Sequence, residues 1–207
     1  MSVPAVAGPT VPASTPASDG PAGAQARAGE LAGHDAVRKI AAGVTVLTVV
    51  HGDRAHGSTA SAVTAASSDP LLICVCLRDG STFAGLAAQA DRFVVNVLSG
   101  RQAAVADWFA DPGRPSGYGQ FAVVDWTLEP AFSAPLLGGA IAWLDCQLTR
   151  SYPAGDHSIL LAEVRGGASG AGTPLLSFDR RLHGTELRSA PRRDRGGSTG
   201  AGIVTLD

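Results

Sequence analysis

The hydrophobic pattern of the chain is a succession of short β segments. GVTVLTVVH at 43–51 alternates β-branched residues, the turn residues Gly52 and Asp53 follow, and a second strand is expected over 55–65. Asp69 and Pro70 break the chain before LLICVCL at 71–77, an apolar run too short for a helix and rich enough for a buried strand. RFVVNVL at 92–98 reads as another strand, and more are expected over 123–128, 140–152, 157–164 and 175–182. Helical periodicity is confined to short pieces: 34–42, then 81–90 with Ser81 or Thr82 as N-cap, then 101–110, ended by Asp111, Pro112 and Gly113. Seven or so strands with tight turns predict a mainly β fold with short helices, a closed or nearly closed antiparallel barrel rather than a parallel α/β sheet.

The two ends depart from this pattern. Residues 1–31 are dominated by Ala, Pro, Gly, Ser and Thr without one aromatic residue. Ordering each of them costs about 1–2 kcal/mol with little apolar area in return, so a disordered leader is expected. From 188 onward the chain is rich in Arg and Gly and reads as a flexible tail. That leaves 32–187 as one domain, roughly 155 residues, enough to bury about 68–70% of its unfolded surface in a single core.

Charge and cysteine usage narrow the partners. Sixteen Lys and Arg against 18 Asp and Glu, a net charge of -2, lack the basic excess that a phosphate backbone demands, so a small-molecule partner is favoured over nucleic acid. The longest apolar run, 44–50, contains Thr45 and Thr48 and is too short for a bilayer, and the first 30 residues lack the layout of a secretory signal. The expectation is a protein of the cytoplasm with no membrane partner. Cys74, Cys76 and Cys146 form no CxxC pair, so they read as small core residues rather than as disulfides or metal ligands.

Several cofactor signatures are missing. Lys39 is the only lysine and follows no glycine-rich loop, which excludes a P-loop. No GxGxxG joins a strand to a helix, no HExxH occurs, the five histidines lack metal-ligand spacing, and no GxSxG lies at a strand-to-helix turn. Residue chemistry alone therefore reaches a small β-barrel with polar clusters at its strand ends.

Four stretches in register carry a resemblance. GVTVLT at 43–48 with HGSTAS at 56–61, DPLLICVCL at 69–77, RFVVNVL at 92–98 and YPAGDHSILLAEV at 152–164 together resemble the flavin reductase family, over about 35–185. These are FMN-binding split barrels that supply reduced flavin to two-component monooxygenases. The Gly-Asp-His run with FDRR at 178–181 is most similar to reductases of aromatic polyketide antibiotic pathways. The resemblance implies FMN or FAD and NADH or NADPH as cofactors, a homodimer, and a separate flavin-dependent monooxygenase as partner. The alternatives are a split barrel that uses bound flavin on its own substrate, and a non-catalytic ligand-binding barrel.

The resemblance also implies roles for particular residues. Thr45, Thr59, Ala60, Ser61, Ala62 and Thr64 would line the ring and ribityl chain, with Cys76, Leu77 and Val97 beside them. Arg78, Ser81 and Thr82 would take the phosphate, which a helix N-terminus suits. Two departures bear on this: Ala62 stands where many relatives have a serine, and the loop 78–82 is one residue shorter and carries Asp79, which would repel a phosphate dianion unless it points away. Weak or exchangeable flavin binding follows. Asn96 is either a ligand contact or a buried structural anchor, since a buried amide needs partners. His157 would lie on the nicotinamide side of the flavin as the catalytic residue. Asp179, Arg180 and Arg181 either close the nicotinamide cleft or guard an exposed strand edge, and Trp108, Trp126 and Trp143 read as core or interface aromatics.

Overall fold

A computed structural model describes residues 21–184 and 186–188. The leader expected over 1–20 and the tail expected over 189–207 lie outside these residues. The chain opens with helix α1, Pro21–Val37. It covers 21–31, expected as part of a disordered leader, and it runs on through 34–37 but ends before the rest of the helix expected over 34–42. Alanine at every second or fourth position and proline at the first helical position favour this helix locally. Every described side chain from 27 to 37 is exposed, so propensity rather than packing supports it.

The strands are β1 (Ala42–Gly43), β2 (Thr45–His51), β3 (Arg54–Ala60), β4 (Val63–Ser68), β5 (Leu71–Arg78), β6 (Arg92–Val97), β7 (Trp126–Thr127), β8 (Leu136–Leu137), β9 (Ala142–Ala154), β10 (His157–Ser169), β11 (Leu175–Phe178) and β12 (Arg181–Gly184). Helices α2 (Thr82–Ala90) and α3 (Ala103–Ala110) and a short 3-10 turn at Gly117–Phe121 complete the fold. One antiparallel sheet runs in the order β3-β2-β6-β9-β10-β5-β4, and a smaller one in the order β1-β11-β12. The fold is mainly β and antiparallel, as the pattern predicts.

Connectivity forces the large sheet to curl. Laid flat, its edge strands β3 and β4 would stand about 29 Å apart, six spacings of about 4.8 Å. Only Ser61 and Ala62 join them, a link that spans at most about 11 Å. The sheet must bring its edges together at this corner, and the Cys76 amide donates to the Ala62 carbonyl there at 2.9 Å. One continuous strand over 55–65 was expected. The bend divides it without any Gly or Pro to signal the break.

Strand β2 is the wall between two cores, which is why its first five residues are all buried. Leu47 and Val49 face the barrel interior with Val75, Leu77, Phe93 and Val95, and α2 plugs that interior with Phe83 and Leu86. Val44 and Val46 face the other way, onto Leu98, Phe109, Phe121, Leu137 and Leu175. Of the cysteines, only Cys146 is a core residue, its thiol pushed up to about 12 by burial. Cys74 and Cys76 are half-buried instead, because on β5 they alternate with Ile73, Val75 and Leu77, which point inward.

The remaining differences from expectation are local. The strand expected over 123–128 shrinks to β7, two residues paired with β8. The strand expected over 175–182 is a hairpin whose turn residues Asp179 and Arg180 have φ of 49° and 64°. Asp179 is held there by Lys39 Nζ at 2.8 Å and by its own amide donating to Arg38 O at 3.0 Å. Lys39 keeps the Asp179 carboxyl below the usual carboxylate range. No helix among the described residues is long and apolar enough to cross a membrane.

Candidate functional site

A cavity of about 500 Å³ opens between β3, the start of α2 and the segment that follows α3. Strand β3 contributes His56, Ser58 and Thr59; α2 contributes Ser81, Thr82 and Phe83. The third wall is Phe109 and Ala110 at the end of α3 with Pro112, Arg114, Pro115 and Ser116 after it. Three residues expected from sequence, Thr59, Ser81 and Thr82, therefore meet in one cavity. A larger cavity of about 800 Å³, near Gln102, Leu137 and Thr173, contains none of the expected residues.

Local structure explains why α2 points into the smaller cavity. Ser81 has extended backbone angles and its Oγ accepts from the Ala84 amide at 3.1 Å, so it is the N-cap. The cap takes the Ala84 amide, and Thr82 and Phe83, whose amides have no acceptor within the helix, line the cavity at the positive end of the helix dipole. Asp79, the residue that threatened this end electrostatically, is engaged elsewhere: its carboxylate accepts from Ser158 Oγ at 2.7 Å, and it does not line the cavity.

Arg78, expected as the cation of the site, does not line the cavity either. It is exposed at the end of β5, directly opposite His157 across the ladder. The cation that does line the cavity is Arg114. Its Nη1 donates to Asp111 O at 2.6 Å, its Nε to Gln120 Oε1 at 3.4 Å, and its Nη2 to Gly57 O. Burial lowers its pKa, opposed by the nearby charge of Asp111, and no carboxylate forms an ion pair with it among the described residues. His56 Nε2 lies 3.5 Å from Arg114 Nη2. Burial, then the charges of Arg114 and Arg54, push His56 down to about 4, so it is neutral at pH 7.

The other expected residues fall into three groups. Ala60, Thr45 and Val97 form one row across β3, β2 and β6, and Thr45 Oγ1 donates to Ala60 O at 2.8 Å. Ser61, Ala62 and Thr64 are exposed at the corner between β3 and β4. His157 starts β10, with its Nδ1 2.7 Å from Asp156 Oδ1, and this contact holds the Asp156 carboxyl below the usual range.

Four further expected residues do not line the cavity. Asn96 is fully buried: its Nδ2 donates to Val46 O at 2.9 Å and Thr48 Oγ1 at 3.1 Å, and its Oδ1 accepts from the Leu137 amide at 2.8 Å. Its side chain is a structural anchor with nothing left for a ligand. Leu77 points into the barrel core, and Cys76 commits its amide to Ala62. Arg181 is exposed on β12, beside a turn that is tied to Lys39. The polar cavity residues that the sequence does not signal as site residues are His56, Ser58, Arg114 and Ser116. The first two were legible as alternate positions in HGSTAS, whereas the segment holding Arg114 read only as a helix stop.

The flavin reductase like domain model matches residues 37–186. The chain belongs to the flavin reductase family. Among curated proteins, this flavin reductase is 46% identical to an NADPH-flavin oxidoreductase of Streptomyces viridifaciens over 76% of this chain and 82% of the relative. It is 33% identical to the reductase component of a 4-nitrophenol monooxygenase of Rhodococcus opacus, over 74% of this chain and 80% of the relative. Among solved structures it matches the NADH:FAD oxidoreductase SgcE6 of Streptomyces globisporus in complex with NAD and FAD fragments. That match has a TM-score of 0.68 and 32% identity, over 80% of this chain and 95% of the other.

Proposed function

We propose that this flavin reductase is an NAD(P)H:flavin oxidoreductase that hands reduced flavin to a separate flavin-dependent monooxygenase in antibiotic-type secondary metabolism. The observation that carries the reading is the small cavity, where Arg114, which has no ion-pair partner among the described residues, and the first turn of α2 face the same space as Ser58, Ser81, Thr82 and Ser116. Such a donor set fits the phosphate end of FMN or FAD. The names of the relatives support both the cofactors and the existence of a partner oxygenase.

Flavin supplies the two-electron chemistry when bound, taking hydride from the reduced nicotinamide. The protein supplies binding and position, which is why no acid or base is needed at the reacting atoms. Ser81, Thr82 and the α2 amides hold the phosphate. The row Ala60, Thr45 and Val97 backs the ring, and Ser61, Ala62 and Thr64 border it at the open corner. His157, held by Asp156, stands with Arg78 on the nicotinamide side. Its expected role is to orient the nicotinamide.

Mixing the protein with NADH or NADPH and either flavin tests this directly. Nicotinamide oxidation is expected only when flavin is present, and FMN is expected to bind at least about tenfold more tightly than riboflavin, because charge-assisted bonds contribute about 1.5–3 kcal/mol each. No flavin-dependent oxidation in any combination overturns the reading. In anaerobic stopped-flow reduction, His157→Ala is expected to slow hydride transfer or raise the nicotinamide KM with flavin affinity unchanged, and His157→Asn to recover part of the loss. Wild-type behaviour in both variants removes His157 from the site.

The outer face of the sheet supports a homodimer. Leu72, Cys74 and Cys76 of β5 and Ile159 and Leu161 of β10 are half-buried on the side away from the core, with exposed Tyr152 beside Ile159 on β9. A second copy related by two-fold symmetry can cover such a face with the same face. Light scattering is expected to give twice the chain mass, and a monomer at working concentration eliminates this interface.

A further inference from the structure

Arg114 has a geometry that a single phosphate at α2 does not explain. It lies on the segment after α3, whereas Ser81, Thr82 and the helix amides come from a different wall of the same cavity. A guanidinium has five N–H donors. Three go to the oxygens of Asp111, Gly57 and Gln120, and Nη2 has a further contact with His56 Nε2 at 3.5 Å, so the plane is fixed and Nη1 alone keeps a donor without a partner among the described residues. The ring of Phe109, 5.9 Å from the guanidinium carbon, packs against it. The neighbouring His56 is neutral and adds no charge of its own. The result is a rigid, half-buried cation with one donor left on Nη1 and no carboxylate ion-pair partner among the described residues, an arrangement that suits a phosphate oxygen.

Resting on the flavin reading, we infer that Arg114 is a specificity residue that receives the second phosphate of a dinucleotide, with the first phosphate at the α2 N-terminus. A monophosphate engages one wall; a diphosphate ester bridges both. FAD is the dinucleotide that places its first phosphate at α2. The diphosphate of NADH or NADPH has the same chemistry and is the other source.

Calorimetric titration of wild type, Arg114→Gln and Arg114→Lys with riboflavin, FMN, FAD and NAD+ tests the inference. Arg114→Gln is expected to weaken FAD at least about tenfold while FMN changes less than about twofold and riboflavin not at all. Arg114→Lys, which keeps the charge but loses the planar, anchored donor set, is expected to lie between, and it serves as the test if the glutamine variant no longer binds riboflavin. Loss confined to NAD+ assigns the same subsite to the nicotinamide dinucleotide. Equal losses for FMN and FAD place Arg114 on the shared phosphate and overturn the inference, as does unchanged binding of every dinucleotide. A wild type that binds dinucleotide NAD+ but no flavin instead overturns the flavin reading, leaving Arg114 to be judged on the NAD+ arm; one that binds neither overturns both.

Discussion

Asn96→Ala is expected to destabilise the protein by about 3–5 kcal/mol, because it deletes three hydrogen bonds from a side chain with no solvent exposure. Each buried group left without a partner costs about 1–3 kcal/mol, and the Leu137 amide and Val46 carbonyl both lose one here. A fall in Tm of about 6–20 °C follows for a domain of this size. Asn96→Asp is expected to be at least as damaging. It retains an acceptor for Leu137 but turns a second oxygen toward the Val46 carbonyl and brings an unpaired charge into the core. Thermal unfolding measures the loss, and flavin titration at a temperature where both proteins are folded separates a structural role from a ligand contact. Flavin affinity is expected to stay within about twofold of wild type. Normal stability with weak flavin binding would return Asn96 to the ligand site.

Gly57→Ala is expected to affect both stability and the cavity. A Cβ at this position would meet Phe109 Cε1 at 2.5 Å and Cδ1 at 2.7 Å. The Phe109 ring is 1% exposed and packs on Phe121 with centroids 5.4 Å apart, so it has little room to retreat. Overpacking of this kind costs about 1–3 kcal/mol, or about 2–12 °C in Tm. Phe109 also lines the cavity, and the Gly57 carbonyl holds Arg114, so flavin binding is expected to weaken with stability. Gly85→Ala is the control: nothing lies within 4 Å of its Cβ position, and a helix interior gains about 0.5–1 kcal/mol from the change. A Gly57→Ala protein as stable as wild type, with unchanged flavin affinity, would show that the strap around Arg114 accommodates the methyl group freely.

The chemical types at the site were readable where one strand or one turn carried them. Ser81 combines capping chemistry with its place before a helical pattern, and it is the N-cap. Thr59 belongs to an alternating strand and reaches the cavity rim. Arg114 was not readable in this way, because its importance comes from lying opposite Ser81 and Thr82, which are more than thirty positions earlier. Arg78 shows the converse. Adjacent in sequence to the phosphate loop, it ends a strand whose ladder turns it toward His157.

From the sequence alone came the strand-rich class, the family likeness and the α2 cap, since each rests on residues within a few positions of one another. The division of 55–65 into two strands, the burial of Asn96 and the exchange of Arg78 for Arg114 were decided only by the tertiary structure. The physical reason is shared. A seven-strand sheet whose edges are joined by two residues has to curl, and that curl determines which side chains of distant strands and loops face the same cavity.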